Sequence, residues 1–398
     1  MAASLAGLPL NGRIASSSDD VNACDAPPDI VLFGTLRDPE LLEIVLGSVA
    51  DAQPVVLAEH SVFAAAGETF PLLMPSEGGQ AEGLLLQNLT NDQIARLDYY
   101  EAPYGYALEP VVLMDGRHAQ VYRPTAAQYG KGELWDLAHW QATHGAMTRE
   151  AGFEIMGLFG KTTVENLLAL LGPIRSRAQA RVNARSDGVP TNLRQGFSRD
   201  DVVLSEQRRP YSRFFALDEM ALSHPRFDGG ENAVEREVFV SVDAVVVLPY
   251  DPVRDTVLLI EQFRPAPYAR GDLHPWCLEA IAGRIDGGES PQDAAHREAE
   301  EETGLRLSDL VPAANFYPSP GAVTEYLYCY IGLADLPEDA AGIGGLASEA
   351  EDIRSMVIPF ATLMEAVRSG EVQNGPLLIC AFCLEREREG LRANATRA

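Results

Sequence analysis

Cysteine is scarce in this sequence, and the few cysteines present form no disulfide framework. Only 5 occur among 398 residues. Two of them, Cys380 and Cys383, form a Cys-x-x-Cys pair inside the apolar run 376–384. That setting favours burial in a packed helix over zinc binding or thiol redox chemistry. We therefore expect a protein of a reduced compartment.

Long apolar runs and positive charge are also lacking. No apolar run reaches the length that a membrane-spanning helix needs. The first residues lack a basic region followed by an apolar core, so no signal peptide is predicted and a cytoplasmic location is expected. Lys and Arg number 31 against 58 Asp and Glu, which gives a formal net charge of −27. Such acidity argues against non-specific nucleic-acid binding and against adhesion to anionic membranes. It would also repel a phosphate substrate, so a phosphate site needs a metal ion and local arginines.

The strongest chemical pattern lies in the stretch 283–305. A glycine-rich loop leads into a predicted helix that begins after Ser290, a good N-cap residue. Glu298, Glu301 and Glu302 follow at helical spacing and share one face. Carboxylates this close repel one another unless a cation lies between them, and they suit Mg²⁺. A solvated acidic face is the alternative. The joint occurrence of loop, cap and triplet favours the metal site.

This stretch resembles the Nudix box, which is a glycine, five residues, Glu, seven residues, then Arg-Glu-x-x-Glu-Glu-x-Gly and an aliphatic residue. The residues that fit are Gly283, Glu289, Arg297, Glu298, Glu301, Glu302, Gly304 and Leu305. Ala299 stands where a larger aliphatic residue is common. The resemblance implies hydrolysis of a nucleoside diphosphate linked to another group, with Mg²⁺ or Mn²⁺ as cofactor. It also implies a Nudix α/β/α sandwich for residues 204–398.

The flanking segments resemble the ADP-ribose pyrophosphatase branch of that superfamily. They comprise Gln262-Phe263-Arg264, Ser319-Pro320-Gly321 and Glu351-Asp352-Ile353. The branch implies products AMP and ribose 5-phosphate, and a homodimer that exchanges N-terminal strands, here the apolar segment 211–239. Another nucleoside diphosphate sugar is the alternative substrate.

The same resemblance implies roles for individual residues. The carbonyl of Ala282 joins the three glutamates as a metal ligand, and Arg297 holds those glutamates in place. Arg264 contacts phosphate, Glu325 contacts the terminal sugar, and Pro320 lies at the substrate site. An acidic loop, 345–352, supplies the general base, with Glu349 as the first choice and Glu351 as the second. The alternative for this loop is a solvated surface turn.

The N-terminal part carries a different pair of motifs. Phe33-Gly34-Thr35-Leu36-Arg37 and Leu97-Asp98-Tyr99-Tyr100-Glu101 resemble the Tyr-Gly-Thr-Leu loop and the Leu-Asp-x-x-Glu motif of the γ-glutamylcyclotransferase-like (AIG2-like) family. The resemblance implies that the amides of Gly34, Thr35 and Leu36 bind a substrate carboxylate. Glu101 would take a proton from the α-amino group as it attacks the γ-carbonyl. The alternatives are a relict scaffold or a binding and assembly module that serves the hydrolase.

The order of predicted elements gives a two-domain chain, α+β followed by α/β. Residues 1–28 lack periodicity and are expected to form a tail. Many short strands with few helices predict a small β-barrel over residues 29–131. Apolar residues at three- and four-residue intervals predict a helical connector and linker over 132–203.

Overall fold

The chain divides into two compact units, Met1–Leu171 and Gly172–Ala398. The computed structural model describes residues 27–124, 129–346 and 350–396. Most of the predicted tail, 1–28, lies outside those ranges. The segment predicted as a connector, 132–203, is shared between the two units, and the sequence-based domain boundaries stay predictions. No helix in the described ranges has both the length and the apolar character needed to cross a membrane.

A six-stranded sheet with helices packed beside it makes up the first unit. Its strands are β1 (Ile30–Leu32), β2 (Ala52–Ala65), β3 (Pro71–Leu86), β4 (Tyr106–Val112), β5 (His118–Pro124) and β6 (Lys131–Leu134). Its helices are α1 (Pro39–Leu46), α2 (Asn91–Glu101), α3 (Leu137–Trp140) and α4 (Ala146–Gly157). The strand order is β4-β5-β1-β3-β2-β6, with β1 parallel to β5 and the other pairs antiparallel.

The predicted small β-barrel was wrong, because the sheet does not close. In the described ranges β4 and β6 are the two edges and do not pair with each other. The alternating stretches 54–59 and 61–65, which resemble two short strands in the sequence, are both parts of β2. A bulge between Ala58 and His60 separates them, and Glu59 lies there with a φ of 56°. A bulge breaks the alternation of side chains along one strand, so the pattern resembles two strands.

A buried carboxylate ties the first helices together. Asp38 caps α1 by accepting a hydrogen bond of 2.9 Å from the backbone N–H of Leu41. It also accepts two bonds from the guanidinium of Arg149 in α4, at 2.9 and 2.6 Å, and one of 2.8 Å from Gln141. Burial raises the pKa of Asp38, but these hydrogen bonds outweigh it and lower the pKa below its usual value. The cap therefore fixes the chain directly after the segment 33–37.

Helix α5 (Val164–Ser186) leads into the second unit, where a three-stranded antiparallel sheet follows it. The strands are β7 (Val203–Ser212), β8 (Ala216–Pro225) and β9 (Glu231–Val240). The segment 211–222 resembles one strand in the sequence, but the chain turns between β7 and β8, where Arg213 N–H donates to the carbonyl of Phe215 at 2.8 Å. The turn contains no Gly, Pro or Asn, so the usual sequence signal for a hairpin is missing.

An eight-stranded mixed sheet forms the centre of the second unit. Its strands are β10 (Ala244–Asp251), β11 (Thr256–Phe263), β12 (Trp276–Glu279), β13 (Ile281–Arg284), β14 (Asp309–Phe316), β15 (Leu327–Leu333), β16 (Ile343–Gly344) and β17 (Ile353–Pro359). Its helices are α6 (Pro265–Arg270), α7 (Pro291–Thr303), α8 (Phe360–Ser369) and α9 (Gly375–Ala395). The order is β14-β15-β10-β11-β17-β16, with β12 on β11 and β13 on β10.

The two faces of this sheet are covered by different helices. Val246 and Leu248 of β10 pack in one apolar cluster with residues of α8 and α9. Val245 and Val247, which point the other way, pack in a second cluster with three alanines of α7. The alternation of a buried strand explains why all four side chains are apolar. The predicted α/β/α layering of this unit is therefore present.

Candidate active site

Helix α7 places its acidic residues against strand β13. Ser290 caps the helix, with its hydroxyl accepting from the backbone N–H of Asp293, and Gly304 ends it with a φ of 70°. Gly283 of β13 lies directly against Glu298, since a Cβ built on Gly283 would come within 1.9 Å of the Glu298 carboxyl carbon. Glycine is therefore required at this position for the carboxylate to reach its place.

One arginine organises the acidic face. The guanidinium of Arg297 donates to both carboxylate oxygens of Glu289, each at 2.8 Å. It also donates to Glu298 at 2.6 Å, to Glu301 at 3.0 Å and to the carbonyl of Arg284 at 3.0 Å. The hydrogen bonds to Glu289 and the nearby carboxylates raise the pKa of Arg297, so it stays charged. Charge-assisted bonds of this kind hold the glutamates in fixed orientations.

The third glutamate of the triplet is buried without enough partners. Glu302 is 2% exposed, and its Oε2 has no hydrogen-bond partner. Burial, followed by the charges of Glu298 and Glu351, raises the pKa of Glu302 to about 9. The charge of Arg264 and a backbone hydrogen bond from Ala282 oppose this rise only in part. Burial also raises the pKa of Glu298 to about 7. For Glu298 the burial outweighs the opposing charge and hydrogen bond of Arg297, whereas Glu302 has no cationic hydrogen-bond partner among the described residues.

These observations fit a divalent cation. An orphaned buried carboxylate oxygen beside two further carboxylates supplies the oxygen ligands that hard cations prefer. Within the described ranges no three acidic, histidine or cysteine side chains already converge on one point. Arg297 Nη1 lies between Glu298 and Glu301 and binds one oxygen of each. The residues therefore have the oxygen donors that a metal ion needs, and in this structure Arg297 binds two of the carboxylates.

A cavity of about 760 Å³ opens beside this face. Arg264 lines it and is held from behind by Glu279, with hydrogen bonds of 3.1, 3.1 and 2.6 Å. Glu279 is 4% exposed and also accepts from the side chain of Asn374 at 3.2 Å. Burial lowers the pKa of Arg264, but the bonds to Glu279 outweigh it and raise the pKa. Arg264 is thus a charged, oriented donor, and the volume suits a small-molecule ligand.

Further carboxylates reach the same cavity. Glu325 lines it and accepts from the hydroxyl of Ser241 at 3.4 Å, and burial raises its pKa. Glu351 also lines it, and its carboxylate accepts from the backbone N–H of Leu346 at 3.1 Å. Glu349, the first choice for the general base, lies outside the described residues. The structure therefore brings the second choice, Glu351, to the cavity.

In the first unit, the segment after β1 approaches β3 closely. A Cβ on Gly34 would come within 2.5 Å of the ring of Pro71. The carbonyl of the same Pro71 accepts a hydrogen bond of 2.7 Å from the hydroxyl of Tyr106. Gly34, Pro71 and Tyr106 are thus in one contact chain. A side chain at Gly34 would push the segment 33–37 away from it.

Glu101, the last residue of α2, belongs to the same region. The residue as a whole is half-buried, but desolvation of its carboxyl raises its pKa to about 8. Its charge acts on Tyr106 and on Tyr122, whose hydroxyl donates to Asp98 at 2.8 Å. A carboxyl kept protonated near neutral pH in such a setting is typical of acid–base sites. Tyr106 connects Glu101 with the Pro71 and Gly34 contact.

Two family models match the chain. A model described as "Gamma-glutamyl cyclotransferase, AIG2-like" matches residues 30–142, and the NUDIX domain model matches residues 240–375. The ADP-ribose pyrophosphatase of Escherichia coli (strain K12) is 39% identical over 204 residues, which are 51% of this chain and 97% of that relative. The chain belongs to the Nudix hydrolase family. It carries an AIG2-like domain in front of the Nudix domain.

Other relatives of the Nudix domain differ in their named substrates. The ADP-ribose pyrophosphatase of Haemophilus influenzae (strain ATCC 51907 / DSM 11121 / KW20 / Rd) is 36% identical over 46% of this chain and 86% of that relative. The GDP-mannose pyrophosphatase of Escherichia coli O9:H4 (strain HS) is 31% identical over 45% of this chain and 89% of that relative. Both predicted resemblances are confirmed at the level of the family. The relatives' names differ in substrate, so they do not determine the substrate of this chain.

The structure places most of the predicted Nudix site residues around one cavity. Those that line it are Ala282, Arg264, Arg297, Glu298, Glu325 and Glu351. Glu301 and Glu302 lie on the same face of α7. Glu301 is bound by Arg297, and Glu302 is buried beside Glu298. Pro320 does not line the cavity and is exposed in the turn before β15. Its role at the substrate site stays a prediction.

Several cavity residues were not predicted from the sequence. Glu279 and Asn374 orient Arg264, Ser241 donates to Glu325, and Phe214 and Phe215 form an apolar wall. The guanidinium of Arg284 lies 4.2 Å from the centre of the Phe214 ring. Glu279 lies four residues before the Nudix box and could have been noticed as a charge in an apolar strand. The others are distant in sequence, so only the fold brings them together.

Proposed function

We propose that the Nudix domain hydrolyses the pyrophosphate of ADP-ribose, with Mg²⁺ as cofactor, to AMP and ribose 5-phosphate. The observation that carries the proposal is the cavity in which an oriented arginine, Arg264, faces the acidic face of α7. The identity of 39% with a relative named ADP-ribose pyrophosphatase supports this substrate class. Mn²⁺ is the alternative cofactor, since it accepts the same oxygen ligands.

Each charged residue of the site has a separate proposed role. Glu298, Glu301, Glu302 and the carbonyl of Ala282 would hold the cation, which supplies neutralisation of phosphate oxygens and activation of water. Arg297 keeps the glutamates oriented through its charge-assisted bonds. Arg264, fixed by Glu279, is proposed to bind a phosphate oxygen, and Glu325 the hydroxyls of the terminal ribose.

The general base comes from the acidic loop before β17. Glu349 remains the first choice, and Glu351 is supported by its place at the cavity beside Glu298 and Glu302. A general base contributes a factor of about 10²–10⁴. The Gln variants of both residues therefore separate them. The one whose kcat falls by that factor, with little change in KM, is the base.

The direct test is a substrate comparison with the full chain. Purified protein is incubated with ADP-ribose or GDP-mannose in Mg²⁺, and nucleoside monophosphate release is measured by chromatography, with chelator as the control. We expect release of AMP with a kcat/KM at least about tenfold above that for GDP-mannose, the discrimination that one well-placed contact gives. Equal or reversed preference would overturn the ADP-ribose assignment.

A second function is proposed for the AIG2-like domain, favoured by the raised pKa of Glu101 beside the Gly34 contact chain. It is a γ-glutamyl cyclotransferase that releases 5-oxoproline or a related cyclised product from γ-glutamyl compounds. The alternative is a binding or assembly module. Incubation of the full chain with γ-glutamyl amino acids separates them, because only the enzyme would form a cyclised product that the Glu101→Gln variant does not form.

A further inference from the structure

Two amide side chains on α5 connect to the Nudix box loop. Gln179 and Asn183 are four residues apart, so they lie on the same face of the helix. Both fall between the segments that the two family models match, 30–142 and 240–375. Neither residue is part of the site as described above, and neither belongs to a motif of either family.

The contacts form a continuous chain of hydrogen bonds. The backbone N–H of Gly288 donates to Gln179 Oε1 at 3.0 Å. Gln179 Nε2 donates to Asn183 Oδ1 at 2.8 Å, and Asn183 Nδ2 donates to Asp243 Oδ2 at 2.9 Å. We define these three bonds as the amide relay. It runs from the box loop through α5 to the residue before β10.

Donor and acceptor groups match in each of the three hydrogen bonds of the relay. A backbone N–H can only donate, so Gln179 must present its oxygen to Gly288 and its NH₂ to Asn183. Asn183 must then present its own NH₂ to Asp243, and a carboxylate is an acceptor. No amide can flip without breaking two bonds of the relay. The arrangement therefore has one orientation, which is the property of a structural clamp.

Both ends of the relay attach to the same loop. The backbone carbonyl of Asp243 accepts from the N–H of Ile285 at 3.0 Å, and Gly288 is the other attachment. The loop 285–288 is thus fixed at its start and at its end. Glu289 follows directly, and its carboxylate binds Arg297, which in turn holds Glu298 and Glu301. Movement of the loop would shift the arginine network.

Close packing between the loop 285–288 and α5 supports the contact that the amide relay makes. A Cβ built on Gly287 would come within 2.7 Å of Arg175 Cβ, so the loop lies directly on the helix. Arg177, which is 1% exposed, directs its guanidinium toward the carbonyls of Arg213 and Phe214 at 3.4 and 3.5 Å. The second half of α5 therefore contacts both the box loop and the turn that carries the apolar wall of the cavity.

We propose that Gln179 and Asn183 are positioning residues of the hydrolase, which hold the loop 285–288 so that Glu289 and Arg297 orient the acidic face of α7. The proposal rests on the metal-dependent hydrolysis proposed above. It makes the second half of α5 a functional part of the Nudix domain, although the NUDIX model begins at residue 240. Neither residue is proposed to touch substrate or metal.

The test uses Gln179→Leu and Asn183→Leu in the full chain, singly and together. The matched control is Asn166→Leu, an exposed amide on the same helix. Hydrogen exchange by mass spectrometry follows the peptide that contains Gly288, and Mn²⁺ binding is titrated without substrate. Turnover is measured with ADP-ribose.

Loss of one net hydrogen bond corresponds to a factor of about five, so exchange at the Gly288 peptide should accelerate by about that factor in Gln179→Leu. Mn²⁺ affinity and kcat should each fall by about tenfold, the low end for outer residues that orient ligands, while KM changes by less than about twofold. In the double variant, Mn²⁺ affinity and kcat should lie within about twofold of those of the more impaired single variant, because both substitutions break the same relay.

Gln179→Glu separates positioning from folding. A glutamate keeps the acceptor for Gly288 but loses the donor to Asn183, so exchange at the Gly288 peptide should return to the wild-type rate. Wild-type exchange in Gln179→Leu would overturn the relay. Faster exchange with unchanged Mn²⁺ affinity and kcat would show that the relay only stabilises the fold. If wild-type protein hydrolyses none of the substrates, the substrate proposal fails, while exchange and Mn²⁺ binding still decide this one.

Discussion

Glu302→Gln should change activity and stability in opposite directions. The substitution keeps the shape of the side chain and removes one ligand charge from the acidic face. We expect kcat with ADP-ribose to fall by about a hundredfold or more at saturating Mg²⁺, which corresponds to about 2.7 kcal/mol of the barrier. In the metal-free protein, by contrast, Glu302 must take up a proton to be buried as the neutral acid, whereas glutamine is neutral at every pH, so the same change should stabilise the fold.

The magnitude follows from the pKa of Glu302, which burial and neighbouring carboxylates raise from 4.5 to about 9. A carboxyl with a raised pKa binds its proton more tightly in the folded state, so it makes the protein lose stability as pH rises from about 4.5 to about 9. At pH 7.5 the loss amounts to at most about 4 kcal/mol, and relaxation of the site lowers it. We expect Glu302→Gln to raise the Tm by about 3–10 °C there.

Thermal melts of chelator-treated full chain between pH 5 and pH 9 measure this directly. The Tm difference between variant and wild type should be small at pH 5 and grow steadily towards pH 9. Glu300→Gln is the matched control, since Glu300 lies on the same helix but is exposed. A Tm difference that does not change with pH would refute the reasoning about burial. Wild-type turnover in Glu302→Gln would refute its role as a ligand.

The remaining predictions concern the AIG2-like domain, the oligomeric state and the turn between β10 and β11. Glu101→Gln should abolish any cyclotransferase activity and leave ADP-ribose hydrolysis within about twofold, because its acid–base role would lie in the other unit; a strongly slowed hydrolysis would contradict this. The chain should be a homodimer through the segment 211–239, and a monomer mass by light scattering with full activity would exclude it. Asp255→Asn should lower the free energy of unfolding, measured by denaturant titration at neutral pH, by about 1–2 kcal/mol. The hydrogen bond from Arg388 outweighs burial and lowers the pKa of Asp255 to about 2, so that stability is present above pH 4 and disappears as pH falls through 2.

Much of the second unit could be predicted because its local signals agree with each other. The helix that begins after Ser290 and ends at Gly304 has a cap, a proline at its first position and a glycine stop, and the structure has it at Pro291–Thr303. The hairpin of β10 and β11 carries two apolar runs around a polar turn. The acidic triplet follows from helical spacing alone. In each case the information is contained within a dozen or so neighbouring residues.

The failures have a common physical cause, which is that they depend on tertiary contacts. The β-bulge at Glu59 divides one strand into two apparent ones, and sheet closure depends on which edges meet. Orientation of Arg264 depends on Glu279 and on Asn374 from a helix far along the chain. Gln179 and Asn183 look like ordinary polar residues of a helix. Their importance arises only because the fold places a backbone N–H and a carboxylate opposite them.

The charge of the cavity supports a metal requirement independently of the box motif. Three arginines line it, and five carboxylates do as well. Arg297 is already bound to three glutamates and Arg264 to Glu279, so neither cationic group is free of a negative partner. A pyrophosphate brings further negative charge into a site that lacks a positive excess, in a chain of formal charge −27. We therefore expect bound cations to contribute to substrate binding as well as to chemistry, and the KM for ADP-ribose should rise as free Mg²⁺ is lowered.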